Sequence, residues 1–350
     1  MQSCLREGAD LCQNHKSLPD SLIPLIVHAL FDPSLPHLDK KNFLESFTQK
    51  GETAHEIDLF AEILLQKSNP FPITQHYQDR PLFDCCGTGG GNLNLFNVST
   101  AIVPILASLG IPVVKHGNRG VTKKSGSADV IENLGISIQL TPQQAYESLQ
   151  ANGAVFLLAP AFHPHFKLIA PLRKELGEEG KRTVFNLLGP LLNPARPKAQ
   201  LLGLFEPLHL PLFQSVFNSR KTDYTIVLGR DSEERLIGEV SPWGIQKFAT
   251  SPTELREILS PLHLPFNHST EPLESLLVTT AAESATMIYD VLNGRNRGRA
   301  RDLIVINAIV ALLTAQGAAL FSEAQQIVEE SIDSGKALLK LQQWQQWRPQ

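Results

Sequence analysis

A run of glycines stands directly after a short apolar segment in the first third of the chain. The apolar segment is Pro81-Leu-Phe-Asp-Cys-Cys86, and the run is Gly87-Thr-Gly-Gly-Gly91. Glycines at the end of a strand let the backbone approach a ligand and turn N–H groups towards it. Asn97, Ser99 and Thr100 follow where an apolar helix is predicted to begin, and helix N-termini favour anions. Together the two segments predict an anion site, although a simple glycine turn followed by an ordinary helix cap would contain the same residue types.

A second polar segment follows the next predicted strand. Ile111-Pro-Val-Val114 is apolar, and Lys115-His-Gly-Asn-Arg119 comes directly after it. Ligands of open α/β sheets bind outside the carboxyl ends of the strands. Lys115 and Asn118 are therefore candidates to contact a ligand, whereas the basic letters of Thr122-Lys-Lys-Ser-Gly-Ser127 alone would also fit a solvated loop.

Alternating strands and helices must position these segments. Further strands are predicted at Ala154–Leu158, Asp223–Leu228 and Leu276–Thr280, with helical stretches between them. This alternation indicates a mostly parallel sheet covered on both faces. Near the N-terminus, Thr53-Ala-His-Glu56 is a capping box before a helix. The predicted fold class is α/β: a small all-helical domain plus a larger α/β domain with a mostly parallel central sheet flanked by helices.

The domain boundaries follow from where the patterns change. The helical domain is predicted over 1–75, with 168–198 returning to it, and the α/β domain over 76–167 and 199–345.

Three details of the helical layer are also predicted. Residues 1–17 are polar and aperiodic, so a loosely ordered extension is expected. Leu38, Phe43 and Phe47 are expected to face inward from a helix that begins near residue 39. Leu22, Ile26 and Leu30 are expected to be exposed, which favours a homodimer through the helical domain.

The bulk composition disfavours several classes of protein. The formal net charge is −4 and the pI is near 6.3, whereas a broad nucleic-acid-binding face usually brings a basic surplus. No window reaches the roughly 20 consecutive apolar residues of a membrane helix, and the first residues lack the apolar core of a signal peptide. The cysteines match neither a zinc pattern nor a disulfide framework. We expect a cytoplasmic protein that binds neither membranes nor nucleic acid.

Taken together, the motifs resemble those of the anthranilate phosphoribosyltransferase family. The family's GTGGD and FN-(I/V)-ST motifs, with the same spacer, correspond to residues 87–91 and Phe96–Thr100. KHGNR is intact at 115–119, and Ser125–Asp129 matches SGS-x-D. Further matches are Lys50–Thr53, Phe162–Pro164, Ala170–Arg173, Phe185–Pro194, Arg301–Asp302, Asn307–Ala308 and Glu330–Ala337. The resemblance covers nearly the whole chain from about residue 20.

The resemblance implies an enzyme of tryptophan biosynthesis with Mg²⁺ as cofactor. It would transfer the phosphoribosyl group of phosphoribosyl pyrophosphate (PRPP) to the amine of anthranilate and release pyrophosphate. Pyrophosphate leaves readily only when its growing charge is neutralised. Since the amine of anthranilate is already uncharged at neutral pH, positioning and charge neutralisation are expected to dominate over general-base catalysis.

The resemblance also implies which residues act. Lys115 and Arg173 would be catalytic. PRPP would contact Gly87, Thr88, Gly89, Gly90, Asn97, Ser99, Thr100, Lys115 and Ser127. Anthranilate would contact Gly87, His116, Asn118, His163 and Arg173, and the metal would contact Ser99 and Glu239.

Two departures from the family pattern fall within this implied site. The Asp that ends GTGGD is Gly91 here, and the family's magnesium-binding Asp-Glu pair reads Gly238-Glu239. Magnesium often keeps several waters, so a lost carboxylate is expected to weaken an ion site rather than abolish it. If that carboxylate matters, Gly238→Asp should lower the magnesium concentration needed for half-maximal rate.

Two other functions stay open from the sequence. One is a pyrimidine nucleoside phosphorylase on the same scaffold, and the other is a non-catalytic paralogue that binds nucleic acid, which the glycines at 91 and 238 would motivate. The intact KHGNR and FNLLGPLLNP stretches favour the transferase over the phosphorylase. The acidic net charge and the retained phosphate-site residues count against the paralogue.

Overall fold

The computed structural model describes residues 2–72, 77, 81–89, 91, 93–120, 125–243, 246–251 and 271–349. The chain divides into two compact units: Met1–Pro70 with Pro160–Pro194, and Phe71–Ala159 with Ala195–Gln350. Each unit contains two separate stretches of the chain. The domain boundaries expected from the sequence stay a prediction.

The first unit is helical. It begins with α1 (Gln2–Gln13), α2 (Ile23–Leu30), α3 (His37–Lys50) and α4 (Ala54–Gln66). The predicted capping box is confirmed at the start of α4, where the Glu56 amide donates to Thr53 Oγ1 at 3.2 Å and the Thr53 amide donates to the Glu56 carboxylate at 2.8 Å. The Phe47 ring stacks on Phe43 and Phe60 with centroid distances of 5.5 and 5.3 Å, so aromatic packing joins α3 to α4.

Of the three detailed expectations for this helical layer, two are wrong and one is confirmed in part. The first residues form α1 instead of a loose extension, because α1 packs along α3. Phe43 and Phe47 are buried as expected, whereas Leu38 is 64% exposed and does not face inward. Leu22, Ile26 and Leu30 are buried, at 6%, 0% and 0% exposure, because α2 packs against α1 and α4. These three residues therefore offer no exposed apolar patch to a second copy of the chain.

The second unit contains the sheet. Within the described residues its strands are β1 (Phe83–Gly87), β2 (Val113–Gly117), β3 (Ala154–Leu158), β4 (Ala199–Gly203), β5 (Asp223–Gly229) and β6 (Gln246–Thr250). They form one sheet in the order β3-β2-β1-β4-β5-β6, parallel throughout except that β6 runs antiparallel to β5. The predicted α/β class with a mostly parallel central sheet is confirmed.

The remaining helices among the described residues belong to both units, with residues 160–194 in the first unit and the others in the second. In chain order they are α5 (Val98–Ser108), α6 (Ser127–Asn133), α7 (Pro142–Asn152), α8 (Ala159–Phe162), α9 (Ala170–Glu178), α10 (Phe185–Leu188), α11 (Leu210–Arg220), α12 (Ala281–Leu292), α13 (Arg299–Thr314), α14 (Phe321–Asp333) and α15 (Lys336–Gln346). The long helix α13 is buried along most of its length and packs against α5, β4 and β5. In the part of the chain that the structure describes, none of the helices has the length and apolarity to cross a membrane.

The sheet differs from the prediction at one strand that is absent and two that were missed. Leu276–Thr280 is not a strand, since Leu273–Leu276 is a 3₁₀ helix and Leu277 makes only an isolated bridge to Leu95. The missed strands are β4 and β6. The first of these is central, because it pairs with β1 on one side and β5 on the other.

Candidate active site

Three adjacent parallel strands end in glycine at the same edge of the sheet. These are Gly87 on β1, Gly117 on β2 and Gly203 on β4. A Cβ atom on Gly117 would lie 2.4 Å from Ser127 Oγ, and one on Gly203 would lie 1.9 Å from the carbonyl oxygen of Gly238. The glycines therefore let neighbouring segments approach closely at the carboxyl edge, where ligands of open α/β sheets bind.

A buried lysine lies at this edge. Lys115 on β2 is 2% exposed, and its Nζ donates to the Cys85 carbonyl at 2.5 Å and to Ser99 Oγ at 3.0 Å. Ser99 stands in the first turn of α5, and Cys85 Sγ donates to its carbonyl at 3.0 Å. A buried amino group is costly unless it is hydrogen-bonded, so these acceptors fix the lysine where β1, β2 and α5 meet. A helix N-terminus and an ammonium group both attract anions.

Asn97 ties the start of α5 to two other segments. Its Oδ1 accepts from Ser125 Oγ at 2.8 Å and from Ser284 Oγ at 3.2 Å, while its amide donates to Ser284 Oγ at 2.9 Å. Thr100, one turn further on, is buried, and its Oγ1 has no hydrogen-bond partner among the described residues. The first turn of α5 is therefore held rigidly from both sides.

The thiol of Cys85 reports the charges around it. Burial raises its pKa to about 12, with Asp84 and Glu239 raising it further and Lys115 opposing them. A thiol with so high a pKa is packed rather than reactive. Lys115 and Glu239 thus act on this pKa in opposite directions.

Arg173 and His163 belong to the first unit, among aromatic rings. Arg173 is exposed on α9, and its guanidinium carbon lies 5.8 and 5.4 Å from the ring centroids of Phe166 and Phe185. Partial loss of water around the guanidinium lowers the pKa of Arg173, although an arginine stays charged in proteins. His163 is 2% exposed with Nε2 2.8 Å from the Leu192 carbonyl, and burial lowers its pKa to about 4. A neutral imidazole and a guanidinium over ring faces suit a small aromatic acid.

Comparisons with known proteins agree with these motifs. Residues 79–338 match the family described as "Glycosyl transferase family, a/b domain". Anthranilate phosphoribosyltransferase of Acetivibrio thermocellus is 36% identical over 335 residues, covering 94% of this chain and 92% of the relative. The same-named protein of Desulfitobacterium hafniense is 36% identical over 341 residues, covering 97% of each chain. This chain belongs to the anthranilate phosphoribosyltransferase family.

Solved structures of the anthranilate phosphoribosyltransferase family share the fold. The protein from Thermus thermophilus superposes with a TM-score of 0.79 at 28% identity, covering 97% of this chain and 98% of that one. The Saccharomyces cerevisiae protein, determined in complex with PRPP and Mg, gives a TM-score of 0.78 at 27% identity, covering 93% and 91%. The family resemblance drawn from the motifs is confirmed.

The structure brings together some of the site residues expected for an anthranilate phosphoribosyltransferase. In the second unit, Lys115 and Ser99 are joined directly, while Asn118 is exposed just after β2. The other described members there are Gly87, Thr88, Gly89, Asn97, Thr100, His116, Ser127 and Glu239. His163 and Arg173 lie in the first unit, and Gly90 lies outside the described residues.

The magnesium ion expected of this family would need oxygen ligands. Ser99 and the half-buried Glu239 supply a hydroxyl and a carboxylate in the second unit. In the ranges that the structure describes, no group of three or more His, Cys, Asp and Glu side chains is placed to hold a metal ion. Magnesium is usually held by one or two carboxylates together with waters and substrate phosphates, and a hydroxyl and a carboxylate are oxygen donors of the kind it takes.

Positions 91 and 238, where the family has aspartates, leave no room for a magnesium ion. A Cβ atom on either Gly91 or Gly238 would lie 2.2 Å from the ring of Phe205. Sequence reasoning missed Phe205 entirely. No spacing in the chain links these three positions, because their proximity depends on the placement of β4, which was itself not predicted.

Proposed function

We propose that this chain transfers the phosphoribosyl group of PRPP to the amine of anthranilate, giving phosphoribosylanthranilate and pyrophosphate for tryptophan biosynthesis. The observation that carries the proposal is the hydrogen bond from Lys115 Nζ to Ser99 Oγ in the first turn of α5. It puts an amino group beside a helix N-terminus at the glycine-ended edge of the sheet, an arrangement suited to a diphosphate. Family membership supplies the identity of the two substrates.

Departure of pyrophosphate is the step that this arrangement assists. As the bond from C1 of the ribose to the pyrophosphate oxygen breaks, negative charge grows on the leaving group and the ribose becomes cation-like. Lys115 and the first amides of α5 would stabilise the leaving charge. Mg²⁺, held by Ser99 and Glu239, would add further neutralisation when bound. The donor would be held by Gly87, Thr88, Gly89, Gly90, Asn97, Ser99, Thr100, Lys115 and Ser127.

Arg173 is our proposed partner for the carboxylate of anthranilate. Its guanidinium is held over two phenylalanine rings, so less side-chain freedom is lost when it pairs with an acid. A guanidinium can form a paired, charge-assisted contact with a carboxylate. His163, which has a depressed pKa, would contact the substrate's uncharged ring. In the second unit, Gly87, His116 and Asn118 are proposed to contact the same substrate.

A fluorescence assay tests the whole proposal. Anthranilate fluorescence is followed after mixing the protein with PRPP and Mg²⁺, and it should fall only when all components are present. No loss with both substrates at saturating concentration would contradict the proposal. Phosphorolysis of uridine or thymidine would point to the phosphorylase instead, and salt-sensitive binding of single-stranded DNA without turnover would point to the non-catalytic paralogue.

A homodimer through the first unit and a cytoplasmic location stay proposals as well. Burial of Leu22, Ile26 and Leu30 removes the original reason for the dimer, although Leu25 and Leu38 in the same layer are 50% and 64% exposed. Light scattering after size exclusion tests the dimer, and a monomer mass at micromolar concentration would contradict it.

A further inference from the structure

Phe205 stands where the two departures from the family pattern converge. A Cβ atom on Gly91 would lie 2.2 Å from Cε1 of the Phe205 ring, and one on Gly238 would lie 2.2 Å from Cζ of the same ring. Cε1 and Cζ are neighbouring atoms. Side chains at 91 and 238 would therefore point into one small volume, which the edge of a single ring now fills.

The backbone segments beside the Phe205 ring also approach each other closely. Gly203, at the end of β4, approaches Gly238 so that a Cβ atom on it would lie 1.9 Å from the Gly238 carbonyl oxygen. Gly238 itself has φ +71°, a conformation that glycine adopts freely and Asp or Asn adopt more readily than other residues. Phe205 follows Gly203 by two residues, so the close approach of these segments seats the ring against Gly238.

Two carboxylates aimed at one volume are the ligands of a divalent cation. Magnesium takes oxygen ligands in near-octahedral geometry and gives up its waters reluctantly. A phenyl ring offers no oxygen, and it occupies the space that the ion and its waters would need. This part of the site therefore does not fit the ion that the family pattern implies.

The exchange is balanced in charge. Two aspartates carry two negative charges, and one magnesium ion carries two positive charges. Removing all three leaves the local net charge unchanged, so a diphosphate nearby would meet a similar field. The fold instead places the half-buried ring of Phe205 in this volume.

We propose that the Phe205 ring replaces a carboxylate-bound magnesium ion, so that this chain binds PRPP with one metal ion fewer than a chain with both acids. The inference rests on the proposed function, since PRPP is the ligand whose diphosphate holds the remaining ion with Ser99 and Glu239. Gly238→Asp alone would not recreate the lost site, because the new side chain would meet the ring.

Counting bound Mn²⁺ in the presence of PRPP tests the proposal. The free Mn²⁺ signal in electron paramagnetic resonance gives the number of ions bound per chain, and a filter-binding measurement on the same samples gives the bound PRPP. The wild type is compared with the triple variant Gly91→Asp, Phe205→Ala, Gly238→Asp. The matched control is Gly91→Asn, Phe205→Ala, Gly238→Asn, which has the same shape without the charges.

The Asp variant is expected to bind one more Mn²⁺ per chain than the wild type, while the Asn variant gains none. Equal numbers in the wild type and the Asp variant, with PRPP bound in both, would overturn the inference alone. If the wild type binds no PRPP, the proposed function fails first and the inference falls with it.

A second measurement serves if the Asp variant does not fold. A wild-type crystal soaked with PRPP and Mn²⁺ is expected to show anomalous density near Ser99 and Glu239 only. A peak beside Gly91, Gly238 and the Phe205 ring would overturn the proposal.

Discussion

Lys115 and His163 are equally buried, each 2% exposed, yet the two units surround them in opposite ways. In the second unit, Lys115 Nζ has two oxygen acceptors, of which Ser99 Oγ stands in the first turn of α5. In the first unit, His163 lies among rings, 5.9 Å from His165 and 5.8 Å from Phe166 between centroids. Burial there lowers the pKa of His163 to about 4, so its imidazole is neutral at physiological pH.

We expect this difference to separate the diphosphate of PRPP from the aromatic ring of anthranilate. An unpaired charge is costly to bury among apolar rings, so the cluster around His163 would suit an uncharged aromatic ring and not a diphosphate. Aromatic pairs favour edge-to-face contacts of the kind already present there. The edge with Lys115 offers donors to a multiply charged anion. We call the surroundings of Lys115 the lysine side, and the aromatic cluster of His163, His165, Phe166 and Arg173 the ring side or ring cluster. We expect substitutions on the lysine side to act on PRPP and substitutions on the ring side to act on anthranilate.

The largest effect is expected from Lys115→Met. The substitution keeps most of the volume and removes the amino group, so kcat/KM should fall about 10³-fold, or about 4 kcal/mol of transition-state stabilisation. Steady-state kinetics give the loss, and thermal denaturation reports the fold. Lys247→Met, at an exposed lysine on β6, is the matched control and should change neither. If activity is lost only because the variant unfolds, Lys115 has a structural role, and the proposal that it contacts PRPP loses its support.

A pH effect on stability is expected from His163. The pKa is about 4 in the folded chain against an ordinary 6.5, so the unfolded chain takes up the proton first as pH falls. The contribution is therefore complete above pH 6.5 and is lost between pH 6.5 and about 4, by up to about 3 kcal/mol. Urea unfolding at several pH values measures it, and His163→Gln should flatten the dependence. Parallel curves for the two proteins would show that the proton goes elsewhere.

The strands that carry this comparison were only partly predictable. Phe83–Gly87 and Val113–Gly117 carry clear apolar runs beside distinctive polar motifs, and both were expected as strands close to their observed positions. The central strand β4 (Ala-Gln-Leu-Leu-Gly) has no β-branched residue. It is a strand because both neighbours pair with it, a tertiary effect that outweighs local preference. Leu276–Thr280 shows the opposite case: its residue types are typical of a strand, yet it makes only an isolated bridge at Leu277.

Site residues were predictable where their position follows from neighbouring residues in the sequence. They were not predictable where it depends on contacts between distant segments. Ser99 precedes an apolar helix and Lys115 follows an apolar run, so both could be placed at the ends of elements. The position of the Phe205 ring beside Gly91 and Gly238 could not be predicted. No sequence pattern indicates that the end of β4 lies beside the other two segments. The sequence therefore indicated that two acids were lost without indicating what took their place.

Arg173→Ala should act on the acceptor alone. Loss of a charge-assisted contact of about 1.5–3 kcal/mol should raise the KM for anthranilate about 10- to 100-fold while the KM for PRPP stays within about twofold. Arg173→Lys should recover only part of the loss, since lysine lacks the planar fork. Both constants come from initial rates with one substrate varied at a time. An equal rise in the two constants would mean that the ring side does not select the acceptor.

The smallest effect separates the two histidines of the ring cluster. Both ring nitrogens of His165 are buried without a hydrogen-bond partner among the described residues, and burial lowers its pKa. His165→Phe removes these unpaired groups and keeps a ring, so the free energy of unfolding should rise by about 1 kcal/mol. His163→Phe should instead lower it, because the contact of Nε2 with the Leu192 carbonyl is lost. Chemical denaturation at pH 8, where both imidazoles are neutral, measures the pair. If His165→Phe destabilises the chain, its nitrogens contribute polar contacts, and the ring cluster is not the apolar counterpart of the lysine site.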